Sequence, residues 1–337
     1  MKYLKRLGIA FVVVLVLLLA IAYLLPGSSH VERSIVVERP RCNVFALVDG
    51  FGWFNDFSPW AQLDPDTRYS FEGPTRGVGA ALSWESEHAN VGSGRQETVL
   101  STPCERVEQA LDFGQQGTAI SFFTFEQEGP RTEVTWGFDS EHGLNPIARY
   151  LGLMLDDWIG PEYEQGLASL KALSENLPVT SIEGLEPQLV ELEPRPIAAM
   201  STRSAKDAEA MGTALEGAYE QITLWMQGAG LQPAGAPIAI TLADDGETWV
   251  FQAAIPYQGS VPAEASGPVV LKQTAGGKAL RVEHVGPYAE LDLTRKRLDA
   301  WLRLYRTEAQ GSPWEEYVSD PATTPEAELT TRLYVPL

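Results

Sequence analysis

The sequence predicts an α+β protein with two domains behind one apolar N-terminal helix. Three observations lead there: an uncharged run from Leu7 to Leu25, a meander of short strands that gives way to helical periodicity, and a β-α-β-β pattern that occurs twice near the C-terminus. A length of 337 residues suits two domains of ordinary size. With 44% apolar and 21% charged residues, the composition is that of a globular chain.

Residues 7–25 are dominated by Leu, Val, Ile and Ala, and as a helix they would be roughly 28 Å long, close to a bilayer core of about 30 Å. Lys2, Lys5 and Arg6 precede the run, so the positive-inside rule places residues 1–6 in the cytoplasm and sends the body across. The expectation is a single-pass protein of the bacterial cytoplasmic membrane with its body on the periplasmic or extracellular side. Two alternatives stay open: a cleaved signal peptide, since Ala20-Ile21-Ala22 offers a small-x-small site, and a buried core helix. Residues 26–30, with Pro26-Gly27-Ser28-Ser29, form a linker.

In residues 31–177, Val31–Glu38 reads as a strand, and Pro40 to Gly50 as a short helix with Pro at its start and Gly at its end. Six strands follow at 67–71, 80–86, 95–102, 106–113, 118–126 and 132–138, separated by Gly and Pro turns. Ile147, Leu151, Met154, Leu155, Trp158 and Ile159 then recur at helical spacing, and Pro161 should kink or restart the helix before Leu167, Leu170 and Leu173. In this order of elements an antiparallel sheet wraps a long C-terminal helix and leaves a cavity between them.

Trp53-Phe54-Asn55-Asp56-Phe57-Ser58-Pro59-Trp60, Asp64-Pro65, Gly77-Val78-Gly79 with Trp84, Gly92-Ser93-Gly94 and Gly160-Pro161-Glu162-Tyr163 resemble the polyketide-cyclase/START-like (SRPBCC) superfamily of hydrophobic-ligand carriers. The resemblance covers essentially all of 31–177 and implies a helix-grip fold. Trp53 and Trp60 would then sit at a cavity mouth, and Trp84, Phe123, Phe125, Trp136, Phe138 and Trp158 would line the cavity or fill a core. Glu85, Glu87, His88 and Glu97 lie near these strands without forming a catalytic constellation.

Residues 178–187 lose periodicity and read as a linker. In residues 188–337, strand 197–201, the helix of Met211, Leu215, Ala218, Ile222 and Trp225, and strands 238–242 and 249–255 make one half. Strand 280–284, helix 291–305 and strands 314–318 and 329–335 make the other. Trp225 and Trp301 stand 76 residues apart, as do Pro237 and Pro313, which marks two copies of a β-α-β-β unit joined into one sheet with a ligand held between the halves.

His284-Val285-Gly286-Pro287-Tyr288, Tyr317-Val318-Ser319-Asp320-Pro321 and Leu333-Tyr334-Val335-Pro336-Leu337 resemble the GyrI-like effector-binding domain of multidrug-sensing transcription activators. That resemblance implies a pocket built from Trp225, Tyr288, Trp301, Tyr305, Tyr317 and Tyr334, each of which could equally fill a core. Where the family commonly carries a Glu before the final segment, this chain has Arg332, which either meets an anionic or carbonyl-bearing ligand in place of a cation or points to solvent.

The net charge of −20 sharpens to −23 once the three basic residues of the N-terminal segment are set aside, and such a body repels phosphate backbones. No nucleic-acid partner is expected. The four histidines are scattered, and Cys42 and Cys104 lack paired spacing, so no metal site and no cofactor are expected; the two thiols could oxidise across the membrane, although their spacing does not demand it. No nucleophile elbow, phosphate loop or other catalytic motif occurs, and Glu315-Glu316 and Asp244-Asp245 read as solvated acid pairs. The expected function is non-catalytic binding of small hydrophobic molecules or lipids by two modules, the alternatives being a cyclase- or hydrolase-type enzyme and an envelope sensor or interaction protein with filled cavities.

Overall fold

The structure, a computed structural model, describes residues 2–260 and 267–337. Met1 of the expected cytoplasmic tail, and residues 261–266 within the expected second domain, lie outside the described residues. The chain divides into two compact units, residues 1–183 and 184–337.

The first unit begins with α1 (Lys2–Ala22), a helix long and apolar enough to cross a bilayer. Nearly all its side chains are exposed, which removes the buried core-helix alternative. After it come β1 (Ser28–Val37), α2 (Arg41–Val48), α3 (Phe54–Phe57), α4 (Pro59–Leu63), β2 (Arg68–Glu72), β3 (Ala81–Glu85), β4 (Ser93–Thr102), β5 (Arg106–Asp112), β6 (Thr118–Glu128) and β7 (Arg131–Glu141). The sheet is antiparallel throughout, in the order β1-β7-β6-β5-β4-β3-β2. Two helices close the unit, α5 (Pro146–Gly152) and α6 (Leu155–Glu175), the latter packed on β1 and β7.

The helical break falls at Leu153–Met154 rather than at Pro161, which lies inside α6. The Ser29 hydroxyl donates to the Gly152 carbonyl at 3.0 Å and so takes an acceptor that a continuing helix would need. The stretch expected to link the domains is partly packed: Asn43 Nδ2 donates to the Pro178 and Thr180 carbonyls at 3.0 and 2.9 Å, and Ile182 is buried. Cys42 on α2 is disulfide-bonded to Cys104 in the β4–β5 turn. Pro103 and Cys104 are the central residues of that turn; Cys104 has φ 62°, and Glu105 N donates to the Thr102 carbonyl.

The second unit contains β8 (Gln188–Leu192), β9 (Pro196–Ala205), α7 (Ala208–Gly228), β10 (Gln232–Pro233), β11 (Ile238–Asp244), β12 (Thr248–Gln258), β13 (Val270–Gln273), β14 (Gly277–Val285), α8 (Leu291–Leu304), β15 (Trp314–Tyr317) and β16 (Thr330–Pro336). Its main sheet runs β13-β9-β12-β11-β15-β16-β14-β8, with β10 paired to β12 alone. The two expected halves are the triplets β9-β12-β11 and β15-β16-β14, joined where Ile238–Ile240 pairs with Trp314–Glu316. Strands β8, β10 and β13 are additions that the repeat does not contain.

Strand alternation sorts the second sheet's residues between two faces. On the helix face, Ala198, Ala239, Phe251, Ala253 and Ile255 pack with Ala218, Ile222 and Met226 of α7. On the other, Ile197, Ala199, Ile238, Ala254, Trp314 and Tyr334 form a separate cluster.

Candidate functional site

A cavity of about 380 Å³ lies in the first unit. β6 and β7 form part of its wall through alternate residues: Ala119 and Ser121 on one strand, Trp136, Phe138 and Ser140 on the other. Farther along the same inward rows, Phe123 and Phe125 leave the cavity and enter the core. Phe123 stacks on Trp136 with ring centroids 4.8 Å apart, and Phe125 meets Phe45 of α2 edge to face at 5.7 Å. α6 supplies Leu155, Ile159 and Tyr163; Tyr163 stacks on Trp136 at 4.2 Å. Gly166 makes this approach possible, because a Cβ there would lie 2.5 Å from the Trp136 ring.

The polar groups of this wall are neutral. Trp136 Nε1 donates to Ser121 Oγ at 2.9 Å. Burial pushes the Tyr163 hydroxyl far above the usual tyrosine range, so it stays protonated. Gln96, on β4, is 5% exposed, and its Nε2 is buried with no hydrogen-bond partner. Among the described lining residues there is no acidic or basic side chain.

Four of the eight aromatics singled out in the sequence therefore line the cavity: Trp60, Trp84, Trp136 and Phe138. Phe123 and Phe125 are core residues, and Trp53 is a half-buried turn residue outside the wall. Trp158 is 49% exposed. Leu155 and Ile159, four apart on α6, face inward, and the residue before Ile159 is rotated about 100° away.

The second cavity, about 1010 Å³, lies on the helix face of the other sheet, between α7 and α8. α7 contributes Met211, Leu215 and Tyr219; Tyr288 precedes α8, which contributes Arg295, and Tyr317 rises from β15. The two oxygens of the buried Glu315 carboxylate are held by Arg295 Nε and, at 2.8 Å, by Arg295 Nη2, and Tyr317 Oη donates to Oε2 at 2.9 Å. Burial first, and then the Glu315 charge, push the Tyr317 and Tyr219 hydroxyls well above their usual range. Tyr219 Oη is buried and has no hydrogen-bond partner.

Residues 185–337 match the family described as the GyrI-like small molecule binding domain. The second unit is a GyrI-like domain. No curated protein matches the chain. Among solved structures, the C-terminal domain of EcmrR is 15% identical over 45% of this chain and 97% of its own, with a TM-score of 0.39. A norcoclaurine synthase point mutant from Thalictrum flavum is 11% identical over 44% of this chain and 95% of its own, at 0.36. The Zhui aromatase/cyclase from Streptomyces sp. R1128 is 15% identical over 44% and 94%, at 0.33.

Within the GyrI-like domain, Tyr288 and Tyr317 line the cavity. Trp225 packs against the α7 core cluster, while Trp301 is buried and tilted against Tyr305, with ring centroids 4.7 Å apart, and neither of these two enters the cavity wall. Arg332 and Tyr334 are on the opposite face of the sheet. They pair in register with Glu316 and Trp314, whereas the cavity receives Tyr317, which shares the alternate row with Glu315. Arg332 is partly exposed and bonds Glu283 at 3.2 Å, so it meets no ligand in this cavity. Tyr334 Oη donates to Glu316 Oε2 at 3.2 Å.

Glu315-Glu316 is not a solvated pair: both residues are buried, Glu315 against Arg295 and Glu316 against Arg195 at 2.9 Å. Asp244-Asp245 does lie in an exposed turn, where Lys206 Nζ bonds Asp244 at 2.6 Å and Asp245 accepts backbone N–H groups. Sequence reasoning missed Gln96, Tyr219 and Arg295. Their partners or cavities come from distant parts of the chain, and only the helical register of Tyr219, one residue after Ala218, carried a local signal.

Proposed function

We propose that the chain is a membrane-tethered, non-catalytic binding protein whose two units each hold a small, uncharged, largely apolar molecule. The observation that carries this reading is the 1010 Å³ cavity of the GyrI-like domain, which presents one buried, unpartnered hydroxyl, Tyr219 Oη. Burial of apolar ligand surface would supply affinity at roughly 25 cal/mol per Å², and this buried donor would fix orientation. Both cations of the wall are already engaged, Lys206 by Asp244 and Arg295 by Glu315. Glu216, Glu220, Asp292 and Asp320 complete an acidic rim that disfavours anionic ligands.

In this reading the first unit is a polyketide-cyclase/START-like carrier module, supported by its seven-stranded antiparallel sheet, the long helix packed on it and the cavity in its wall. The body lies outside the cytoplasmic membrane. The apolar α1 preceded by basic residues supports that placement, as does the Cys42–Cys104 bond, which is at home in an oxidising compartment.

Native mass spectrometry of the full chain, purified in lipid nanodiscs, tests the proposal. A neutral co-purifying adduct that is depleted in Tyr219→Phe supports it. Absence of any adduct, together with no thermal shift across a library of neutral apolar compounds, would refute it.

A further inference from the structure

We infer that α5 and the elbow joining it to α6 form a membrane-docking surface, which lies in the outer interface of the bilayer beside the end of α1. The inference rests on the tethered reading above and goes beyond it, since a tether alone leaves the body free of the lipid surface.

Two observations meet here. First, α5 is bound to the last turns of α1. Tyr150 Oη donates to the Leu18 carbonyl at 2.8 Å, and Arg149 Nη1 donates to the Leu25 and Tyr23 carbonyls at 3.0 and 3.3 Å. The same guanidinium lies 5.8 Å from the centre of the Tyr23 ring and, through Nη2, bonds the Gly143 carbonyl at 2.7 Å. These contacts satisfy the Tyr23 and Leu25 carbonyls just beyond α1 and, through Leu18, fix the height of α5 against the helix. Leu18 is four residues inside Ala22, the last residue of α1, roughly 6 Å along the helix axis. A bilayer that α1 crosses therefore reaches α5.

Second, the segment so held is apolar on its open side. Leu144, Ile147, Leu151, Leu153, Met154 and Trp158 are between 46% and 76% exposed, within fifteen residues of sequence. A contiguous run of large exposed hydrophobics marks an interaction surface. Its continuity with α1 selects lipid as the occupant, and Trp158 is of the type enriched at the headgroup level. Electrostatics do not supply the attraction: Arg149 is occupied as described, and the nearby Asp156 is paired with Arg33 at 2.9 Å, leaving Asp157 and Glu162 as neighbouring acids. The surface thus fits hydrocarbon and neutral headgroups rather than an anionic membrane. Leu155 and Ile159, one turn of α6 from this surface, line the first cavity.

The two native cysteines are bonded to each other, so an introduced cysteine supplies the only free thiol. Nitroxide labels on Val13→Cys, Ile147→Cys, Leu151→Cys and Val78→Cys in the full chain, reconstituted in phosphatidylcholine nanodiscs, report collision rates with oxygen and with a water-soluble nickel chelate. The docking surface predicts oxygen-dominated relaxation at Val13, Ile147 and Leu151, with the latter two roughly 5–10 Å below the headgroups, and chelate-dominated relaxation at Val78. If Ile147 and Leu151 behave like Val78 while Val13 reports lipid, the docking surface is refuted and the tether stands. If Val13 also behaves like Val78, the tether is refuted and the docking surface with it.

Discussion

The two cavities solve the problem of holding a small molecule in opposite ways. The wall of the first carries no acidic or basic side chain among its described residues, whereas the GyrI-like cavity carries two cations and four carboxylates, with the buried Glu315–Arg295 pair behind it. Yet among the described residues each has one fully buried neutral donor without a partner, Gln96 Nε2 in the first and Tyr219 Oη in the second. The difference teaches that the positive charge in the second cavity is internal, spent on the protein's own pairs. A free carboxylate on a ligand would lose its hydration in either place and gain no free cation in return.

The comparison breaks most readily at Arg295. Arg295→Met leaves Glu315 buried with an uncompensated charge and should destabilise the GyrI-like domain by about 3–5 kcal/mol. Unit-resolved hydrogen exchange should show faster exchange in 184–337 and little change in the first unit; equal loss in both would contradict the internal role of this pair. A smaller effect is expected in the first unit for Gly166→Val, whose Cβ meets the Trp136 ring. Overpacking should cost about 1–3 kcal/mol and abolish ligand-induced thermal shifts that belong to this cavity.

Removing the lone donors sharpens the parallel. Gln96→Leu and Tyr219→Phe should each weaken a carbonyl-bearing neutral ligand by about 0.5–1.5 kcal/mol at its own site and leave the other untouched. Isothermal titration with both single variants and the double variant reads this; loss at both sites from one substitution would show that the sites are not independent. The smallest effect is on the first unit's surface. The hydrogen bond to Asp139 raises the His30 pKa; burial opposes it less strongly, and the Glu32 hydrogen bond adds a smaller raise. Because the folded value is raised, the added stability is fully present below about pH 6.5 and is lost as pH rises through the folded value. The pair is half exposed, so His30→Gln should shift acid-side stability by no more than about 0.5 kcal/mol, measured by urea melts at pH 5 and 8.

Much of this architecture was legible in the sequence because it is written at short range. Turn residues bracket the strands of the meander, and the spacing of Trp225 from Trp301 announced the repeat whose triplets meet at β11 and β15. The faces were harder. Alternation shows that Val134, Trp136 and Phe138 share one side of β7, but where along that row the core stops and the cavity begins depends on α2 and α6, distant in sequence. The Glu315-Glu316 pair illustrates the same limit. Adjacent strand residues face opposite sides, and each is buried only because Arg295 or Arg195 arrives from elsewhere. Resemblance left Arg332 between cavity and solvent, and one residue of strand parity decides for the face away from the cavity.

The edge pairing of β1 has a consequence for how the chain folds. Val31 pairs with Phe138, about a hundred residues later, so the strand nearest α1 has no partner until nearly the whole first unit has been synthesised. A chain tethered by α1 would wait with β1 unpaired, and after β7 emerges that strand closes the sheet from its membrane-proximal end. Until then β1 presents open edges, the state in which contact with a neighbouring chain competes with folding.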